Sequence, residues 1–208
     1  MKYETKFYLL SNVFEHLNRY IPSQPHERLA GKLPKSFKSD SKLLDLCTGT
    51  GYGARVIAKQ HPTSHITGID LSQDMLRVGH RIIDKENLKN ISLIHADASS
   101  LPFENETFDI ITVVFGLHEL PTDIRTKAVK ECFRVLKPNG QYIIADLDKP
   151  GVWYGSILSL YLLIGEPTYA KGILKPELEA LLHSSGFCIG ERSYGLKGFI
   201  QYITAHKN

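Results

Sequence analysis

Cysteine is scarce in this 208-residue chain, and the three present, Cys47, Cys132 and Cys188, are odd in number and far apart. That spacing excludes a disulfide framework. Because two of them fall in apolar segments, it points to buried free thiols in a reducing compartment. Charge of one sign is equally thin: the net charge is +3 and the basic residues form no block. Their densest run, Lys32, Lys35, Lys38 and Lys42, lies in a Ser-containing connector and reads as a solvated linker rather than a nucleic-acid surface. No uninterrupted apolar run approaches the ~20 residues that cross a bilayer. The opening MKYETKFYLL mixes charge into its first turns and lacks the apolar core of a signal peptide. We expect a soluble, cytoplasmic protein without a transmembrane segment, whose partner is a small molecule rather than nucleic acid. The length suits one domain over residues 1–208 and is too short for a nucleotide domain plus a separate catalytic one.

What is present centres on LLDLCTGTGYGA, residues 43–54. An apolar run ends in Asp45 and breaks into a turn carrying Gly49, Gly51 and Gly53, which reads as a buried strand feeding a glycine loop that opens a helix. Glycines at alternate positions keep side chains from between the backbone and a ligand. Gly49, Gly51 and Ala54 also satisfy the dinucleotide pattern G-x-G-x-x-G/A. Asp45 separates the ligand classes, because a carboxylate at the first strand's end repels a pyrophosphate and can bind an ammonium group, directly or through water. That favours S-adenosylmethionine over NAD. The next strand, HITGID, ends in Asp70, an acid able to accept hydrogen bonds from both hydroxyls of a ribose. ISLIHADASSLPF ends a third strand near Asp97, where an adenine amino group could be met.

Residues 5–20 place Phe7, Leu10, Val13, Phe14, Leu17 and Tyr20 at helical spacing up to Pro22, forming an amino-terminal helical arm within residues 1–41. Tyr3, Tyr8 and Tyr20 are its candidate ligand contacts, with simple packing as the alternative. A short helix over 26–32 and a connector over 35–42 follow. Strands at 42–46, 65–70 and 91–95 then alternate with helices at 52–61 and 73–86, which gives a parallel sheet with helices on both faces. Ser72 is a plausible cap for the second of these helices, and Met75 either leans over an adenine ring or packs in the core. The run FDIITVVF, 108–115, reads as a central strand leading into Gly116-Leu117-His118-Glu119. A helix over 121–136, a reversal with positive φ at Asn139-Gly140 and a strand over 141–147 come next. Residues 148–174 form an insertion with Trp153, Tyr154, Tyr161 and Tyr169 around an apolar run at 157–164. It reads as a packed lid, or as contact with a greasy substrate or a bilayer surface. A helix from Lys175 and two strands, 187–194 and 199–206, separated by Gly-Leu-Lys-Gly, close the chain as an antiparallel hairpin.

These pieces resemble the class I S-adenosylmethionine-dependent methyltransferases over roughly residues 42–207. LLDLCTGTG looks like that family's first motif, GIDLSQDML its second-strand motif, DASSLPFENETFD its third-strand motif and FRVLKPNGQYII its fifth-strand entry. Within the family the chain looks nearest to the C-methyltransferases of ubiquinone and menaquinone biosynthesis, which share the T-G-T-G loop, the pair Lys149-Pro150 and a lid with a spaced Tyr. It departs from them at Cys47, where a Gly is usual, at Tyr52, where an acid often follows the loop, and in the sequence FGLHEL. The resemblance implies an α/β, Rossmann-like doubly wound sheet of seven strands, mostly parallel with a terminal antiparallel hairpin. It implies S-adenosylmethionine as cofactor, with S-adenosylhomocysteine as product, bound by Asp45, Cys47, Gly49, Gly51, Asp70, Leu71, Met75, Asp97, Ala98 and Phe115. Tyr20, Tyr154 and Tyr161 are candidate substrate contacts. The acceptor it implies is small and apolar or aromatic, a quinone precursor being the leading specific reading. A general base is required only where the acceptor must lose a proton, and His118 is the candidate, with Glu119 and Tyr154 behind it. No metal is expected: His61 and His65 are four apart, but Pro62 interrupts any helix between them. Two other readings stay open: a regulatory protein that kept the cofactor pocket without turnover, and an NAD-dependent oxidoreductase.

Overall fold

The computed structural model describes residues 24–148 and 175–208. The expected arm over 5–20 with Tyr3, Tyr8 and Tyr20, and nearly all of the 148–174 insertion with Trp153, Tyr154, Tyr161 and Tyr169, lie outside the described residues.

Apolar runs bounded by Gly, Pro and Ser become the central strands, which are buried on both faces, while the two edge strands stay largely open to solvent. In chain order the elements are α1 (Pro25–Ala30), β1 (Lys42–Leu46), α2 (Tyr52–Gln60), β2 (His65–Asp70), α3 (Gln73–Glu86), β3 (Ile91–His95), β4 (Phe108–Val114), α4 (Thr122–Val135), β5 (Leu136–Leu147), α5 (Lys175–Ser184), β6 (Cys188–Gly195) and β7 (Ile200–His206). They build one seven-stranded sheet in the order β3-β2-β1-β4-β5-β7-β6. The first five strands are parallel, while β7 runs antiparallel to both β5 and β6. The parallel part needs helical crossovers, which α2, α3 and α4 supply.

Successive side chains of a strand face opposite sides, and β1 shows the division. Leu43 joins Ala54, Ile57, Ile66, Ile143 and Leu29 on the face covered by α1 and α2. Leu44 and Leu46 join Ile111, Val113, Val129, Cys132, Leu178 and Phe187 on the face covered by α4 and α5. Both clusters are fully buried at their centres, each large side chain contributing about 1.5–3 kcal/mol by leaving water. α3 packs through Leu76 and Ile83 on Leu93 of β3. The Ser72 hydroxyl accepts the Met75 N–H at 3.3 Å, so the cap expected for α3 is in place.

Three sequence expectations are revised. β5 starts at Leu136 rather than 141: Phe108 pairs with Leu136 and Ile110 with Gln141, so residues 137–140 bulge out of register instead of separating helix from strand. In that bulge Asn139 alone has positive φ, +62°; Gly140 does not. Of the three thiols, Cys132 is buried, Cys47 half-buried and Cys188 exposed, so general burial of the cysteines does not hold, although all three are free. Burial raises Cys132 to about 12, which leaves it inert. Among the described residues no helix is long and apolar enough to cross a membrane, and no group of His, Cys, Asp and Glu is placed to hold a metal ion.

Candidate active site

The strand order reverses between β1 and β4, the place where open α/β sheets leave a crevice at their carboxyl ends. Across that edge lie, strand by strand, Asp97 after β3, Asp70 on β2, Asp45 on β1, Phe115 and His118 after β4, and Asp146 on β5. Sequence reasoning found all of these except Asp146. The signal for it was present, since IIADLD repeats the pattern of an apolar strand ending in an acid.

The loop after β1 is held by hydrogen bonds to its neighbours. The Thr48 N–H donates to the Ile69 carbonyl at 2.8 Å, and the Gly49 N–H donates to Asp70 Oδ2 at 2.8 Å. The Ser72 N–H donates to Asp70 Oδ1, also at 2.8 Å. With the Leu71 N–H as a third backbone donor, most of the Asp70 carboxylate's acceptor capacity is committed, and about one lone pair is left for a ligand donor. Cys47 stands at φ +53°, the left-handed region that favours glycine. Gly51 caps α2 at φ +73°, and a Cβ there would lie 3.2 Å from the Leu93 side chain. At Gly49, φ +56°, a Cβ would meet no heavy atom of the described residues within 4 Å.

Asp45 is buried at 5 % exposure. Its Oδ2 accepts from Thr48 Oγ1 at 2.5 Å and its Oδ1 from Thr112 Oγ1 at 2.7 Å, with the Ala54 N–H as a further donor. The Asp45 carboxylate thereby ties the loop, α2 and β4 together. Burial pushes its carboxyl up to about 6 against those three donors, and the neighbouring Asp70 charge adds to the rise. Asp70 is raised too, again mainly by burial, with the Ser72, Gly49 and Leu71 N–H groups opposing. Two adjacent acids make the crevice hostile to a pyrophosphate and hospitable to an ammonium and a sulfonium. Leu71 beside them is 60 % exposed, an apolar face suited to a purine. The cradle at Gly49, the remaining acceptor capacity of Asp70 and the apolar face of Leu71 together fit S-adenosylmethionine.

Other expected residues are placed less directly. Asp97 is exposed, and its Oδ1 accepts the Ser99 N–H and Oγ, both at 2.8 Å, leaving Oδ2 without a partner among the described residues. Met75 and Ala98 are buried. Phe115 turns at φ +55° and sets its ring edge-on to His118, 6.4 Å between centroids. Gly116 lies so close to the first loop that a Cβ would sit 2.5 Å from that of Cys47. His118 is buried, its Nδ1 2.6 Å from Asp146 Oδ1. Arg125, which carried no signal in the sequence, donates from Nε to the Leu117 carbonyl and from Nη2 to the Leu120 carbonyl, each at 2.8 Å, and so fixes the loop.

His26 was also missed. Both its ring nitrogens are buried without a partner among the described residues, and a Cβ on Gly53 would lie 2.9 Å from Nδ1 and 3.6 Å from Asp45 Oδ2. Burial first, then the Arg55 charge, lowers its pKa from 6.5 to about 4. The folded state then refuses a proton that the unfolded chain takes near 6.5, so this ring's stabilisation is full above that pH and is lost as pH falls towards 4. Asp45 acts oppositely: its buried charge costs stability above about 6, and the cost is gone below 3.8. We expect acidification from about pH 7 to about 4.5 to destabilise the wild type by about 2 kcal/mol more than His26→Phe. Urea midpoints at the two pH values check this; parallel shifts would mean that the ring finds a proton-sharing partner.

A methyltransferase domain family matches residues 43–140. The demethylmenaquinone methyltransferase of Staphylococcus aureus is 33 % identical over 177 residues, covering 83 % of this chain and 72 % of that protein. Among solved structures, a SAM-dependent methyltransferase from Aquifex aeolicus superposes with TM-score 0.75 at 21 % identity, over 95 % of this chain and 98 % of that one. The [4+2]-cyclase SpnF superposes with TM-score 0.73 at 20 % identity, over 88 % and 79 %. A fold shared by a methyltransferase and a cyclase does not itself specify chemistry, so the sequence relationship carries the assignment. The chain belongs to the class I S-adenosylmethionine-dependent methyltransferases, and S-adenosylmethionine is its cofactor.

Proposed function

We propose that this protein is a single-domain enzyme that methylates a small apolar or aromatic acceptor, and that the acceptor is a quinone precursor in its reduced, hydroquinone form. The observation that carries this reading is the 33 % identity, extending over 83 % of the chain, with an enzyme named for demethylmenaquinone. The apolar sequence of residues 157–164 supports an apolar acceptor. When bound, S-adenosylmethionine supplies an electrophilic methyl group on a sulfonium. The chain's task is then to orient and to exclude water. Asp70 and the Gly49–Gly51 turn hold the nucleoside, Leu71 covers the purine and Asp97 Oδ2 meets its amino group. Asp45, Thr48, Thr112 and Arg125 keep the two loops in register. Tyr20, Tyr154 and Tyr161 contact the acceptor.

Labelled S-adenosylmethionine offered with a detergent-dispersed prenylated naphthohydroquinone and with charged, hydrophilic acceptors tests this. Label should pass to the hydroquinone. Label found only on the hydrophilic acceptors would overturn the apolar reading and leave the methyltransferase assignment standing.

A further inference from the structure

The turn between β2 and α3 carries two of the groups proposed for the nucleoside, the Asp70 carboxylate and the exposed Leu71 side chain, and both depend on one peptide plane. That plane joins Leu71 to Ser72. Its N–H donates to Asp70 Oδ1 at 2.8 Å, and its carbonyl oxygen, on the opposite side, lies 3.0 Å from His95 Nε2. A carbonyl can only accept, so His95 carries a proton on Nε2 and is the donor. In the neutral ring Nδ1 then bears the lone pair. His95 closes β3 and is the register partner of Asp70, so the imidazole reaches this carbonyl from the neighbouring strand.

Fold stability asks little of this bond. His95 is exposed, and a carbonyl at an exposed turn is served nearly as well by water, so the contact rescues no orphaned buried group. Ligand binding asks more. Leu71 is 60 % exposed, so packing holds little of its side chain and the backbone of the turn sets where it stands. Asp70 keeps about one lone pair after its three backbone donors, and whether a ribose hydroxyl meets it depends on how the carboxylate is turned. Donation into the Leu71 carbonyl polarises the same peptide and strengthens the N–H that grips Oδ1. Burial raises the Asp70 carboxyl, and after the three N–H groups His95 is the group that opposes the rise, which puts the ring within electrostatic reach of that carboxylate.

We propose that His95 is a positioning residue for the cofactor: through the Leu71–Ser72 peptide it fixes the orientation of the Asp70 carboxylate towards the ribose and the stance of Leu71 against the purine. It acts through the turn and not by touching the ligand. The proposal rests on Asp70 and Leu71 as the nucleoside contacts and is independent of which acceptor is methylated. Its effect belongs to the nucleoside half of the cofactor.

Calorimetric titration with S-adenosylhomocysteine and with 5′-methylthioadenosine, which keeps the nucleoside and lacks the amino-acid tail, reads that effect directly. His95→Ala should weaken both by the same factor, about tenfold, with a urea midpoint near that of the wild type. His95→Gln, whose side-chain amide can donate to the same carbonyl, should recover most of the loss, and His95→Phe, which fills the space and donates nothing, should not. Nitrogen-15 spectra of the wild-type ring in its neutral form should show the proton on Nε2. An Ala variant binding within about twofold of wild type, a Phe variant that recovers as well as the Gln one, or a neutral ring protonated on Nδ1 would each overturn the proposal. So would a loss of folding stability that matches the loss of affinity, since the ring would then serve the fold. Asp70→Ala titrated alongside separates this failure from a deeper one. Weakened binding there, with none in His95→Ala, removes only the role of His95; normal binding in both removes the nucleoside site beneath it.

Discussion

Gly51→Val is expected to remove measurable binding of S-adenosylhomocysteine, with an affinity loss above about 3 kcal/mol, because two separate demands meet at that residue. The backbone stands at φ +73°, where a β-branched side chain is strained by about 1–3 kcal/mol. A Cβ would also come within 3.2 and 3.3 Å of the two Leu93 methyl carbons, so the added Val methyls must displace Leu93 or the loop. Leu93 is itself 7 % exposed and underpins α3, which leaves it little room to retreat. The loop is then the part that moves, and it carries the Gly49 and Thr48 hydrogen bonds to β2 with it. Gly51→Ala serves as control: it keeps most of the backbone strain but adds only one carbon, and should bind weakly rather than not at all. Titration calorimetry on folded protein decides the matter. Normal binding by the Val variant would mean that the loop is not the cofactor's seat.

The second large effect is expected at Asp70, where Asp70→Ala should weaken S-adenosylmethionine binding by about 1–3 kcal/mol through the loss of charge-assisted bonds to the ribose. The geometry adds an indirect component, because the Gly49 and Ser72 N–H groups each lose their acceptor and the loop and the α3 cap loosen together. Overall stability should change much less than binding, since removing a carboxylate raised by burial also removes its desolvation cost. Asp70→Asn separates the components: it retains one backbone acceptor but not the charge, and should fall between. Unchanged affinity in a folded Ala variant would exclude Asp70 from the site.

The contrast between these residues and Asp146 shows what the sequence made legible. β2, α3 and β3 lie at the residues expected of them because each is signalled locally, by apolar runs, by the Ser72 cap and by the acid that closes the strand. The positive φ of Gly51 and the strand-end position of Asp70 were readable because they follow from residue type and local pattern. The extension of β5 back to Leu136 was not, since it depends on Phe108 pairing across a bulge that no local pattern announces. Asp45 was found, but its hydroxyl donor Thr112, which lies 67 residues away in the chain, was not legible. Arg125 acts on carbonyls of the 117–120 loop, and nothing in an amphipathic helix marks one arginine as buried and turned back. The same holds for His26, whose environment is made by Gly53 and Asp45 rather than by its neighbours in α1.

The placement of β7 bears on how the molecule is assembled. It is made after β6 yet lies between β6 and β5, pairing Leu147 with Ile200 and Gln141 with His206 on one side and Cys188 with His206 on the other. Until it has left the ribosome, β5 has an unpaired edge beside the apolar Ile143 and Ile144, and β6 has nothing to join. The sheet is continuous only with β7 in place, where Tyr202, Ile203 and Ala205 are buried between its two neighbours. A short deletion from the carboxyl terminus that reaches into β7 would therefore act at the middle of the antiparallel half of the sheet, and should send the product towards aggregation rather than merely shorten it.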